Sequence, residues 1–97
     1  MTIHDTILTQ LQYARELTAE IKGVSVYDPT EEYIGLYWCG RQALETTKMF
    51  CDTLAGLGVI TRKQQQVYAK MRIEAEENLQ LQRARFDIYR GDCYDLP

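Results

Sequence analysis

The side chains in this sequence that could do chemistry are few and far apart. His4 is the only histidine and Ser25 the only serine. A serine nucleophile needs a base aimed at its hydroxyl, and Ser25 lacks the Gly-x-Ser-x-Gly turn that presents such a serine. No cysteine neighbours His4 in the chain, so it reads as a solvated residue in a first helical turn. The three cysteines, Cys39, Cys51 and Cys93, are an odd number with no Cys-x-x-Cys pair. Cys39 and Cys51 fall on one expected helix, about three turns apart, too far to bridge each other. That pattern fits free thiols in a reducing cytoplasm better than a secreted disulfide framework or a zinc site.

Carboxylates offer little more. Glu74-x-x-Glu77 is the nearest approach to a helical metal motif, but no second pair and no histidine accompany it. It reads as a solvated charged face. Gly56-Leu57-Gly58 matches neither phosphate-loop spacing and reads as a helix-ending turn. The expectation is a protein without cofactor or metal and without a catalytic constellation. The seven tyrosines are the remaining candidates. Tyr33, Tyr37, Tyr68 and Tyr89 fall on core-facing stripes, where rings can bury while hydroxyls reach the edge. The alternative is an aromatic groove that holds a planar small molecule or nucleotide, as a sponge or sensor would.

The elements that position these residues are well marked. A chain of 97 residues, 45% hydrophobic and 26% charged, matches a single globular domain spanning 1–97. Its prolines are Pro29 and Pro97, which leaves room for long helices. Helix 1 is expected over about 3–22, capped by Thr2, with Asp5 in its first turn and Gly23 as its stop. Ile3, Ile7, Leu11, Ala14, Leu17 and Ile21 form its apolar stripe. Asp28-Pro29-Thr30-Glu31 starts helix 2, which runs to about Ala55 and ends at Gly56 and Gly58. Thr61 with Gln64 forms a second capping box and opens helix 3, expected to about Arg90 with Gly91 as its stop and 91–97 as a tail. The only β-like stretch, Val24 to Tyr27, has nothing to pair with. Short connections make neighbouring helices antiparallel, so the expected fold is an all-α, up-down-up three-helix bundle.

Helices 2 and 3 each carry more apolar surface than one core needs. On helix 2, Tyr33, Leu36, Tyr37, Gly40, Ala43, Leu44, Thr47, Phe50, Cys51 and Leu54 share one broad face. Ile34, Trp38 and Met49 lie on the opposite side with Glu45 between them, and Glu31 and Glu32 nearby supply a polar rim. On helix 3, Tyr68, Met71, Ala75, Leu79, Phe86 and Tyr89 form the core stripe, while Ile73, Leu81, Ala84 and Ile88 lie well round from it. Two faces per helix imply a second packing surface, met by a homo-oligomer, with a twofold dimer favoured, or by a protein partner.

Charge narrows the partner. The net charge is −3, with −4 over residues 1–60 and +1 over residues 61–97. Helix 3 is basic, but Glu76 follows Arg72 by four residues and Asp87 follows Arg83 by four, spacings that pair ions rather than leave a clean phosphate-binding patch. A helical nucleic-acid-binding regulator is therefore the weaker alternative. No apolar run approaches the ~20 residues of a membrane span, and the N-terminus has no basic region leading into an apolar core. The leading expectation is a small cytoplasmic, non-enzymatic module that binds a macromolecular partner and blocks or regulates it. In size and character it is analogous to the anti-defence inhibitors of phages and mobile elements, anti-CRISPR proteins among them; the analogy does not extend to any motif.

Overall fold

The computed structural model describes residues 2–25 and 32–94, with side chains described for 2–25 and 33–86. Three helices, α1 (Ile3–Lys22), α2 (Glu32–Gly56) and α3 (Arg62–Tyr94), pack against one another. The described residues form no strand.

Each start signal within the described residues works through its capping side chain. Thr2 Oγ1 accepts from the Asp5 amide at 3.1 Å, and the Asp5 carboxylate accepts from the Thr2 amide at 3.2 Å. At α3 the Thr61 hydroxyl accepts from the Gln64 amide at 3.1 Å, and the Gln64 side chain accepts from the Thr61 amide at 2.9 Å. Each box satisfies donors that a helix start otherwise leaves without partners. The Asp28-Pro29-Thr30-Glu31 signal lies outside the described residues.

The stops differ from one another. Gly23 ends α1 in a right-handed conformation, φ −78°, its amide donating back to Ala19 and Glu20. Gly58 ends α2 by another route. Its φ is +74°, its amide reaches the Ala55 carbonyl at 3.1 Å, and the Val59 amide reaches the Leu54 carbonyl at 2.9 Å. These are the paired bonds of a Schellman turn, in which glycine takes the left-handed position without a Cβ penalty. Gly56 is simply the last helical residue. The expected stop at Gly91 does not occur, since α3 continues to Tyr94. A glycine inside a helix costs only about 1 kcal/mol, and no proline follows until Pro97, so the helix passes through.

Four contacts fix the topology. His4 meets Tyr68, pairing the starts of α1 and α3. Arg85 reaches the Lys22 carbonyl at 3.4 Å, bringing the end of α1 level with the later part of α3. Tyr33 stacks on Phe86 with ring centroids 4.0 Å apart, and Gln65 donates to Asp52 at 2.8 Å. Helices α1 and α3 are thus parallel and α2 runs against both, the expected up-down-up order. At 1.5 Å per residue α3 is about 50 Å long, which accounts for most of the molecule's 54 Å extent.

The core is the expected set of stripes with two corrections. Ile7, Leu11, Ala14, Leu17 and Ile21 of α1 are buried, with Tyr33, Tyr37, Ala43, Leu44, Cys51 and Leu54 of α2 and Tyr68, Ala75, Leu79 and Phe86 of α3. Buried Thr47 satisfies its hydroxyl on the Ala43 carbonyl at 2.8 Å. Ile60, beyond the Schellman turn, closes that end. Ile3 is exposed, because the first turn of α1 lies at the edge of the bundle. Phe50 is exposed as well. The buried seam on α2 steps through Leu44, Thr47, Cys51 and Leu54, and Phe50 stands about 100° round from Cys51. No described helix is long and apolar enough to cross a membrane.

Candidate interaction surface

With this core in place, the second faces of α2 and α3 remain uncovered. Trp38 is 53% exposed, Met49 69% and Ile34 38%. On α3, Ile73 and Leu81 are exposed, and they line a shallow open surface with Glu76, Glu77, Gln80 and Ala84. The side chains of Glu31, Glu32 and Ile88 lie outside those described. Glu45, placed on the rim by its position, pairs with Arg41 on its own helix at 3.7 Å. Arg72 pairs with Glu76 at 3.1 Å as its spacing implies, whereas the Asp87 side chain lies outside those described.

Trp38 does not stand squarely opposite the core. Its ring meets Tyr37 edge-on at 5.4 Å, and the guanidinium carbons of Arg41 and Arg83 lie 5.8 and 5.9 Å from its ring centroid. The electron-rich indole face attracts both cations, which draws Trp38 toward the α2–α3 edge. Below it, Tyr37 is almost completely buried. Its phenol oxygen accepts from Gln80 at 3.0 Å and from Arg41 at 3.2 Å, and the Arg83 guanidinium lies over its ring, 4.6 Å from the centroid. Burial pushes the Tyr37 phenol up, but the neighbouring Arg83, Arg41 and Gln80 donors outweigh burial and hold it below its ordinary value. This cluster was not foreseen. Tyr37 and Arg41 stand four apart on α2 and Gln80 and Arg83 three apart on α3, but only the helix pairing brings the two sets together.

The four tyrosines of the expected groove are not gathered in one place. Tyr33 stacks in parallel on Phe86 at one end of the bundle. Tyr68 lies 18 residues earlier on α3, about 27 Å along the axis, where its hydroxyl bonds to His4 Nδ1. Tyr37 lies between these levels, and the Tyr89 side chain is outside those described. Tyr68 instead borders a cleft of about 140 Å³ with Thr47, Cys51 and Arg72, smaller than the roughly 300 Å³ at which small-molecule pockets begin. His4 is exposed, as expected, yet its ring is tethered to Tyr68 rather than only solvated. Cys39 is exposed and Cys51 buried, neither in a disulfide, and Cys93 lies outside the described side chains. Among the described residues no group of three or more His, Cys, Asp or Glu side chains is placed to hold a metal ion. Set against models of known protein families, curated proteins and solved structures, the chain shows no match to any of them.

Proposed function

We propose that this protein is a non-enzymatic interaction module that docks on a protein partner in the cytoplasm and blocks or regulates it. The observation that carries the reading is Trp38, 53% exposed on a helix that already contributes a full stripe to the core. A large aromatic flanked by Ile34 and Met49 has the composition of a binding anchor, where a few residues carry most of the energy. The Ile73, Leu81 and Ala84 surface of α3, extended in sequence by Ile88, is the proposed self-association face, with a twofold dimer as the simplest assembly. By analogy of size and surface, the class of regulator is the small anti-defence inhibitor of phages and mobile elements.

The test is Trp38→Ala, examined by affinity capture from the native or host cytoplasm and by sedimentation. The expected result is a helical, folded variant that loses one stoichiometric partner, while Leu81→Glu alters sedimentation and leaves capture intact. Unchanged capture by Trp38→Ala overturns the reading.

A further inference from the structure

We propose that a second copy of this chain lies antiparallel across the outer face of α3, about a twofold axis at the level of Leu81, with Glu77 of each copy paired to Arg85 of the other. This rests on the reading of that surface as the self-association face and adds the orientation and register of the second copy. Leu81 is 61% exposed and Ile73 46%. Both border the shallow surface that Glu77, Gln80 and Ala84 complete. The buried side of α3 faces away from it, since Leu79 and Phe86 stand about 160° and 140° round the helix from Leu81.

Charge supplies the orientation. Glu77 stands four residues before Leu81 and Arg85 four after. Four residues turn a helix by about 400°, so both positions lie within about 40° of the Leu81 bearing. An antiparallel copy related by a twofold axis at Leu81 brings each residue level with the one equally far beyond Leu81 in the other chain. Glu77 then meets Arg85 of the second copy, and the pair forms twice. The sequence repeats the relation farther out, with Lys70 eleven residues before Leu81 and Asp92, still within α3, eleven after. A parallel copy would set each of these charges level with its own kind, which repels. The pattern is complementary to itself, as a twofold dimer requires and a foreign partner does not.

Glu77 is exposed and pairs with no cation among the described residues. Arg85 uses one nitrogen, Nη1, on the Gln82 side chain at 2.6 Å and the Lys22 carbonyl at 3.4 Å, and it meets no carboxylate among the described residues. A guanidinium has five donors, so these bonds to neutral oxygens orient Arg85 and leave its charge in place. Ala84 beside it is small and leaves room for the Glu77 stem. Leu81 meets its counterpart at the axis, and the ion pairs flank that apolar contact as a polar rim.

The experiment compares the sedimentation of the full chain with that of charge-reversed variants at low salt. The unaltered chain is expected to be a dimer that weakens as salt is added. Glu77→Arg and Arg85→Glu should each weaken it about tenfold or more, since each gathers like charges on both sides of Leu81. The double variant should recover most of that loss, because it rebuilds the pair in reverse. Circular dichroism checks the fold of each. Cross-linking reads the register without altering charge, and so serves even where Arg85→Glu loses helicity. With Cys39→Ser and Cys93→Ser as background, Leu81→Cys is expected to give a disulfide-linked dimer on oxidation. Ile73→Cys should give none, because an antiparallel pair holds those two positions about 24 Å apart, far beyond disulfide reach. Linkage through Ile73→Cys, none through Leu81→Cys, or a folded double variant no tighter than the single ones overturns the proposal. A dimer that Leu81→Glu still dissociates then leaves the self-association reading standing. A chain that is monomeric at every concentration sinks that reading and the proposal together, and partner capture lost in Leu81→Glu would then assign the face to another protein.

Discussion

A Cβ placed on Gly40 would lie 3.3 Å from both δ-methyl groups of Leu79 and 3.8 Å from the Cβ of Leu17. Gly40 is therefore the point where α2 comes close to α1 and α3 together. Gly40→Leu gains roughly 1 kcal/mol of helix propensity but forces four carbons into filled space, at a cost of about 1–3 kcal/mol. Net destabilisation is expected in urea unfolding. Gly40→Ala should be close to neutral, because the atoms it meets on Leu79 are the far ends of a side chain that can give by a few tenths of an ångström. A stabilised Leu variant would mean the helices do not approach here.

The two phenylalanines should behave differently from each other, although helical periodicity puts both on core stripes. Phe86 is 1% exposed and stacked on Tyr33, whereas Phe50 is 36% exposed. Phe86→Ala is expected to cost about 3–5 kcal/mol and Phe50→Ala only a small part of that. Thermal and denaturant unfolding of the pair would check it, and equal losses would contradict the placement of Phe50.

Thiol chemistry should sort the cysteines. Cys39 is exposed and Cys51 is 5% exposed. Burial, with help from the Asp52 charge, raises the Cys51 thiol above its ordinary 9.0. In native protein Cys39 should react quickly with a disulfide reagent and Cys51 only at the rate of unfolding. The linkage sign is set by the raised value. The unfolded chain releases the Cys51 proton first, so its contribution is intact below 9.0 and declines as pH rises through and beyond that value. Cys51→Ala should flatten the alkaline fall in stability even if it lowers stability at neutral pH.

Tyr37 has the opposite sign. Its phenol is held below 10.0 in the fold, so the stability it adds is present above 10.0 and is lost as pH falls through its lowered folded value. Tyrosinate absorbance followed against pH should show an early component, from Tyr37, below 10.0. That early component should vanish in Tyr37→Phe and move to higher pH in Arg83→Gln. Tyr68, raised by burial and by Cys51, should ionise above 10.0.

Local chemistry made most of the fold legible. The Thr2 cap and the Thr61–Gln64 box are complete within four residues and were readable, though the return bond from the Thr2 amide to Asp5 was not foreseen, and the apolar steps from Ile7 to Ile21 needed only the helical period. The end of α3 was not readable, because a glycine permits a helix to stop without requiring it, and nothing local to Gly91 forces the chain out of the helix. Phe50 was misplaced because periodicity gives a face but not the width that a neighbouring helix covers. The exposed faces around Trp38 and Leu81 were legible as surplus apolar surface. The arginine cluster was not, since Tyr37 and Gln80 are 43 positions apart and meet only through the register of two helices.

That register is set at a distance. The left-handed Gly58 and the Thr61 box lie back to back, so α2 and α3 leave the turn at defined rotations, and Trp38 and Arg83 are brought together by counting outward from it. A residue inserted in α3 between Thr61 and Gln80 would turn Arg83 by about 100° and carry it off Tyr37, whereas an insertion of four, about 400°, would return it to nearly the same bearing one turn displaced. Tolerance of this hairpin to changes in length should therefore be periodic, with the binding edge surviving only insertions near whole helical turns.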